Sequence, residues 1–212
     1  MSGSVIWWFN SFLNKVGKDK AMLLMHTDPK DANGQDLEAM IHNLGLTNGE
    51  VRFSTNHGPA SELAMLYNMA DVVVNISDAE GFGLSVMESL ACETPAIVNM
   101  TGGLKDQITD GKDVFGIGIE PSSKAVIGSQ GVPYIYEDRI SEEDFVDALM
   151  KMYSMTKEER AALGAKGRKH MEKNFNPDEL LPKWDEILES LSEEKGSWNT
   201  SKNVKWTMKK VA

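Results

Sequence analysis

The chain has 212 residues, 41% hydrophobic and 25% charged, a balance that describes a globular protein with one ample core rather than a disordered or fibrous one. Its formal charge of −10, from 22 basic and 32 acidic side chains, repels a phosphate backbone and an anionic membrane surface, which argues against nucleic acid as a partner. The single cysteine, Cys92, follows the apolar Leu90-Ala91, cannot close an internal disulfide, and reads as a small buried hydrophobe in a reducing, cytoplasmic compartment.

The opening Met1-Ser2-Gly3-Ser4-Val5-Ile6-Trp7-Trp8-Phe9 has neither the basic start of a signal peptide nor the length of an integral membrane segment. Ile6, Phe9, Phe12, Leu13 and Val16 recur at helical spacing, and Gly17 is a plausible stop. Short apolar or β-branched runs at Ala21 to Met25, Val51 to Phe53, Val72 to Ile76 and Ala96 to Val98 predict buried strands. Helical patterns lie between them, at Gln35 to Asn43, Ser61 to Met69 and Leu84 to Ala91. Strict alternation of this kind predicts an α/β fold, a Rossmann-like parallel sheet with helices on both faces. A helix that starts the series is unusual, because a crossover helix follows the strand it packs upon; a strand ahead of it is expected.

Past Gly111 the glycines at 116, 118, 128 and 131 blur the periodicity, and Ile135-Tyr136 is one more short extended run. Ser141 with Asp144, Thr156 with Glu159, and Asn176 with Pro177 and Glu179 mark the starts of three C-terminal helices. Residues 1–195 are expected to form the Rossmann-like domain, and 196–212, with Trp198 and Trp206, a tail or interdomain segment.

The strand Val72 to Ile76 runs through Ser77-Asp78-Ala79-Glu80-Gly81-Phe82-Gly83 into a helix beginning at Leu84. Such a turn lies at the carboxyl edge of a parallel sheet, where ligands bind, and its glycines let backbone amides be presented without a Cβ in the way. Free amides of Gly83, Leu84 and Ser85, with the positive end of the helix dipole, favour an anion, above all a diphosphate. Glu80 and Glu88 flank that position. As ionised carboxylates they suit sugar hydroxyls rather than phosphate, although spacing alone equally fits two solvated acids.

Glu80-Gly81-Phe82-Gly83-Leu84-Ser85-Val86-Met87-Glu88 resembles the acid, seven residues, acid motif of the group 1 retaining glycosyltransferases of GT-B architecture. Leu66 to Val72, Ser89 to Val98 and the double glycine in Thr101-Gly102-Gly103-Leu104 are similar to the same family's flanking segments. The resemblance implies a donor-binding half that takes a nucleotide diphosphate sugar, with Glu80 as the catalytic acid on the transferred sugar and Glu88 on the ribose. It further implies that Gly81, Phe82, Gly83, Leu84 and Ser85 hold sugar and diphosphate through the backbone, and that Asn56, His57 and Gly58 stand near the base. Retention of configuration, no cofactor and no required metal follow from it, as do a first strand carrying an Arg and Lys pair and an N-terminal acceptor-binding domain, both expected to be missing here. Glu93 stands where the family usually has glycine.

Rival readings fit less well. The third glycine of a dinucleotide fingerprint falls at Val86, and Asn99 stands where its ribose acid belongs. A calcium loop aligned on Gly34 puts Pro29 and Met40 at ligand positions, and His26, His42, His57 and His170 show no zinc spacing. A non-catalytic nucleotide-binding module and a nucleotide-sugar epimerase half remain as alternatives.

Overall fold

The computed structural model describes residues 1–196, so the tail expected from Ser197 onward lies outside the described residues. The first part of the chain runs α1 (Ser2–Val16), β1 (Leu23–His26), α2 (Leu37–Leu44), β2 (Val51–Ser54), α3 (Ala60–Met69), β3 (Val73–Asn75), α4 (Leu84–Ala91) and β4 (Ala96–Asn99). Every strand and helix expected in this part is there, with ends shifted by a residue or two. There follow α5 (Leu104–Ile108), β5 (Gly116–Ile119), β6 (Ser123–Ile127), β7 (Ile135–Arg139), α6 (Glu142–Ser154), α7 (Lys157–Asn174) and α8 (Pro177–Lys195).

Three of these elements, α5, β5 and β6, escape sequence patterning, and β7 was visible only in its first two residues. β5 reads Gly-Ile-Gly-Ile because it is squeezed: a Cβ on Gly116 would stand 2.2 Å from the Ala96 carbonyl oxygen, and one on Gly118 2.4 Å from the Met100 sulfur. β6 and β7 form an antiparallel hairpin whose outer residues Val126, Tyr134 and Tyr136 are exposed, so no apolar alternation marks them.

β1 and β2 pair in parallel, with Leu23 opposite Val51, and β3, β4 and β5 form a second parallel sheet. β4, central in its sheet, is buried at all four residues, as a parallel strand covered on both faces must be. α1 buries Ile6, Phe9, Phe12 and Leu13 in the core, packing against α2 and α6. Of its two tryptophans, Trp8 lies against Phe145 with ring centroids 5.6 Å apart, and Trp7 is exposed. The expected caps are made. Ser141 Oγ accepts from the Asp144 amide at 3.0 Å, Thr156 and Glu159 exchange bonds in a capping box, and Asn176 accepts from the Asp178 amide.

Contacts divide the chain into one unit spanning Met1–Met171 and another beginning at Glu172. In the second, α8 carries Leu181, Trp184, Ile187, Leu188 and Leu191 at helical spacing, all exposed.

Helix α4 ends at Cys92, which is half-buried rather than fully enclosed, and the next residue, Glu93, is the one non-glycine with positive φ among the described residues, at 61°. The helix therefore stops where a glycine would make it stop, with a side chain strained in that position. Its carbonyl abuts Gly164 of α7, where a Cβ would approach to 1.8 Å. A left-handed backbone costs a non-glycine residue roughly 1–2 kcal/mol, part of which glycine returns as unfolded-chain entropy. Glu93→Gly is thus expected to stabilise the fold by about 0.5–1 kcal/mol, read from urea denaturation; a loss of stability would show that the Glu93 side chain makes a contact worth more than the strain.

Candidate functional site at the start of helix α4

The carboxyl ends of β3 and β4 carry the turns that build the site. Asn75, the last residue of β3, folds back on the chain. Its side-chain Oδ1 accepts from the Ser77 amide at 3.1 Å, and its Nδ2 lies 3.5 Å from Glu80 Oε2 and 3.3 Å from Ser85 Oγ. One amide side chain therefore touches the acid before the helix and the serine in its first turn. In the sequence Asn75 carries no sign of this role beyond its place near the end of a strand.

Gly83, with φ 88°, is the N-cap of α4 and brings no side chain to the helix start. Its carbonyl accepts from the Val86 and Met87 amides, while the amides of Leu84 and Ser85 have no acceptor among the described residues. Leu84 and Ser85 are exposed, and no acidic side chain occupies the first turn. The result is an open, uncapped helix start with its dipole unopposed, which is the chemistry that accepts an anion.

The turn is held from below by the loop entering α5. The Gly103 amide donates to the Glu80 carbonyl at 3.4 Å, and the wholly buried Gln107 donates from Nε2 to the Phe82 carbonyl. A Cβ on Gly102, whose φ is 48°, would lie 1.7 Å from the Glu80 carbonyl oxygen, and one on Gly103 2.6 Å from that of Gly81. Both glycines are required by this backbone-on-backbone approach.

Behind the turn, buried Asn99 donates to the Ser77 carbonyl at 2.9 Å and to the Asp138 carbonyl at 2.7 Å, tying the β6–β7 hairpin to the site. Thr101 donates to Asp138 Oδ2 at 2.8 Å, and the Asp138 amide donates to the Asp78 carbonyl. Burial pushes the Asp78 carboxyl above the usual range; Arg139, 3.5 Å away, opposes the shift.

Glu88 lies one turn into α4 and accepts from the Tyr67 hydroxyl of α3 at 2.8 Å through Oε2. Burial, reinforced by that bond, pushes the Tyr67 phenol well above its ordinary range. The structure thus gathers Glu80, Gly81, Phe82, Gly83, Leu84, Ser85 and Glu88 on one turn and one helix. Asn56 and His57 are exposed on the loop after β2, the strand ends being marked by His26, whose Nδ1 meets Ser54 Oγ at 3.1 Å. No three His, Cys, Asp or Glu side chains among the described residues converge to hold a metal ion, and no described helix is long and apolar enough to cross a membrane.

A chain of this fold with this site has the form of a sugar-transferring enzyme's α/β domain, and comparison with known proteins bears that out. The family model for glycosyl transferases group 1 matches residues 30–170, and the chain belongs to that family. A D-inositol 3-phosphate glycosyltransferase of Arthrobacter sp. (strain FB24) is 40% identical over 79 residues, which cover 36% of this chain and 18% of that protein. Sucrose-phosphate synthase from Thermosynechococcus elongatus shares the fold with a TM-score of 0.67 at 20% identity, over 88% of this chain and 42% of that one. Anabaena HepE in complex with UDP and glucose aligns with a TM-score of 0.58 at 15% identity, over 87% of this chain and 52% of that one. The chain therefore spans about a fifth of the length of the curated relative and under half of the sucrose-phosphate synthase.

Two variants probe the frame of the site. Gly102→Ala is expected to destabilise the protein by about 1–3 kcal/mol in urea denaturation, because the added carbon meets backbone that cannot move without displacing Glu80. Tyr67→Phe removes a bond whose contribution, given a phenol raised in the folded state, is fully present below about pH 10 and lost as pH rises beyond it. Thermal melts should show the variant less stable by a constant amount, about 1–2 kcal/mol, between pH 6 and 9, with the gap closing at higher pH.

Proposed function

We propose that this chain is the donor-binding part of a retaining glycosyltransferase, and that the uncapped start of α4 holds the diphosphate of a nucleotide sugar. The observation that carries this reading is the pair of unpaired amides at Leu84 and Ser85, set on a side-chain-free cap at the carboxyl edge of a parallel sheet and flanked by Glu80 and Glu88.

Glu80 contacts the transferred sugar and supports the reacting centre, and Gly81 and Phe82 approach the sugar through their backbone. Glu88 holds the ribose hydroxyls through Oε1, its other oxygen being engaged by Tyr67. Asn56 and His57 border the base. The diphosphate leaves with retention of the anomeric configuration, no metal or other cofactor being required, since helix dipole and amides supply the electrostatic stabilisation. Acceptor recognition falls to an N-terminal domain beyond these residues. Among the lysines near α1, Lys15 pairs with Asp147, Lys20 with Asp19, and Lys18 donates to the Gly45 carbonyl, so none serves as a phosphate clamp. Cytoplasmic activated sugars are the natural donors for such a site.

Calorimetric titration with a panel of nucleoside diphosphates and their sugars tests the assignment. Glu88→Ala should weaken nucleoside diphosphate and sugar nucleotide alike, by roughly 10- to 100-fold, the worth of a charge-assisted bond. Glu80→Ala should weaken the sugar nucleotide and leave the diphosphate unchanged. Equal losses for both ligands in Glu80→Ala would overturn the division of roles, and a folded chain that binds none of the panel would overturn the donor site.

A further inference from the structure

Asn75 stands at the carboxyl end of β3, its backbone placed opposite Val98 by the parallel ladder to β4. The two ends of its side-chain amide differ in chemistry, and its neighbours decide which end faces which way. The Ser77 backbone amide can only donate, so the atom 3.1 Å from it is the acceptor Oδ1. A flipped Asn75 would set two donors against each other there. The Nδ2 group is thereby committed to the other side, where it meets Glu80 Oε2 at 3.5 Å and Ser85 Oγ at 3.3 Å. An amide nitrogen carries two hydrogens, enough to serve both.

The effect on the two recipients follows from their own bonding. Ser85 lies exposed in the first turn of α4, and its Oγ accepts from Asn75. The hydroxyl hydrogen has no acceptor among the described residues, so a hydroxyl that accepts from Asn75 is left free to donate to an incoming group. It does so from a residue whose backbone amide is itself unpaired. Glu80 is held by one oxygen only. Its Oε2 takes the Asn75 bond, and its Oε1 meets no donor among the described residues.

We propose that Asn75 is a positioning residue for both halves of the ligand: it leaves the Ser85 hydroxyl as a further donor to the diphosphate, and it holds Glu80 with Oε1 open to the transferred sugar. This role rests on the donor-site reading given above. Asn75 itself touches neither half; it acts through Ser85 on the diphosphate and through Glu80 on the sugar.

The test is a double-mutant cycle read by calorimetric titration of the full chain with UDP, ADP and GDP and with the glucose conjugate of each. Ser85→Ala should weaken the nucleoside diphosphate that binds, and its sugar conjugate, by about three- to tenfold. Asn75→Ser keeps an acceptor for the Ser77 amide but no longer reaches Glu80 or Ser85. It should weaken the diphosphate as much as Ser85→Ala does, and the sugar conjugate more. The double variant should bind the diphosphate no worse than either single variant, since one acts through the other. A merely structural defect at Asn75 would instead add to the loss from Ser85→Ala, and additive losses would overturn the proposal. Should Asn75→Ser fail to fold, Ser85→Ala decides, because that side chain is exposed. Diphosphate binding that is present in the wild type and unchanged in Ser85→Ala would overturn this role and leave the donor site standing. A wild-type chain that binds none of the six compounds would overturn both.

Discussion

The site depends on one close approach of backbone to backbone. The segment Thr101–Gly103 lies directly under Glu80 and Gly81, nearer than any side chain at Gly102 would allow. From that contact follow the direction of the Glu80 carbonyl, the position of Phe82 over Gln107, and the exposure of the amides at the start of α4. A turn of seven residues rich in glycine and small side chains has little stiffness of its own. Here its rigidity is borrowed from β4, the most buried strand of the molecule.

The chemistry of the site is set by what the helix start lacks. A serine or aspartate at the N-cap stabilises a helix by about 0.5–2 kcal/mol, and α2 and α6 each have one. At α4 the position is Gly83, and that stabilisation is forgone. Local stability is yielded at the place where the proposed function calls for an unsatisfied donor, in keeping with the pattern that local rules fail at sites.

Much of this was legible in the sequence. The strands and helices up to Asn99 are strongly periodic, and the turn from Glu80 to Glu88 announced itself through glycines between two acids. What stayed hidden was long-range. Asn75 and Asn99 look like ordinary polar residues at strand ends, and only the fold brings Asn75 to Glu80 and Ser85, or Asn99 to Ser77 and Asp138. β5 was hidden because close packing against Ala96 and Met100 demands glycines, which read as loop. Tyr67 carried no local sign that its hydroxyl meets Glu88, twenty-one positions away.

Asn99 ties the β6–β7 hairpin to the turn between β3 and α4. A single amide group holds two carbonyls, those of Ser77 and Asp138, which lie 22 and 39 residues from it in sequence, and its own oxygen is buried without a partner among the described residues. With both donor hydrogens committed, the side chain cannot follow one carbonyl without releasing the other. The hairpin, whose outer residues are solvent-exposed, is thereby tied to the turn at two points, through Asn99 to Ser77 and through the Asp138 amide to Asp78, three and two residues before Glu80.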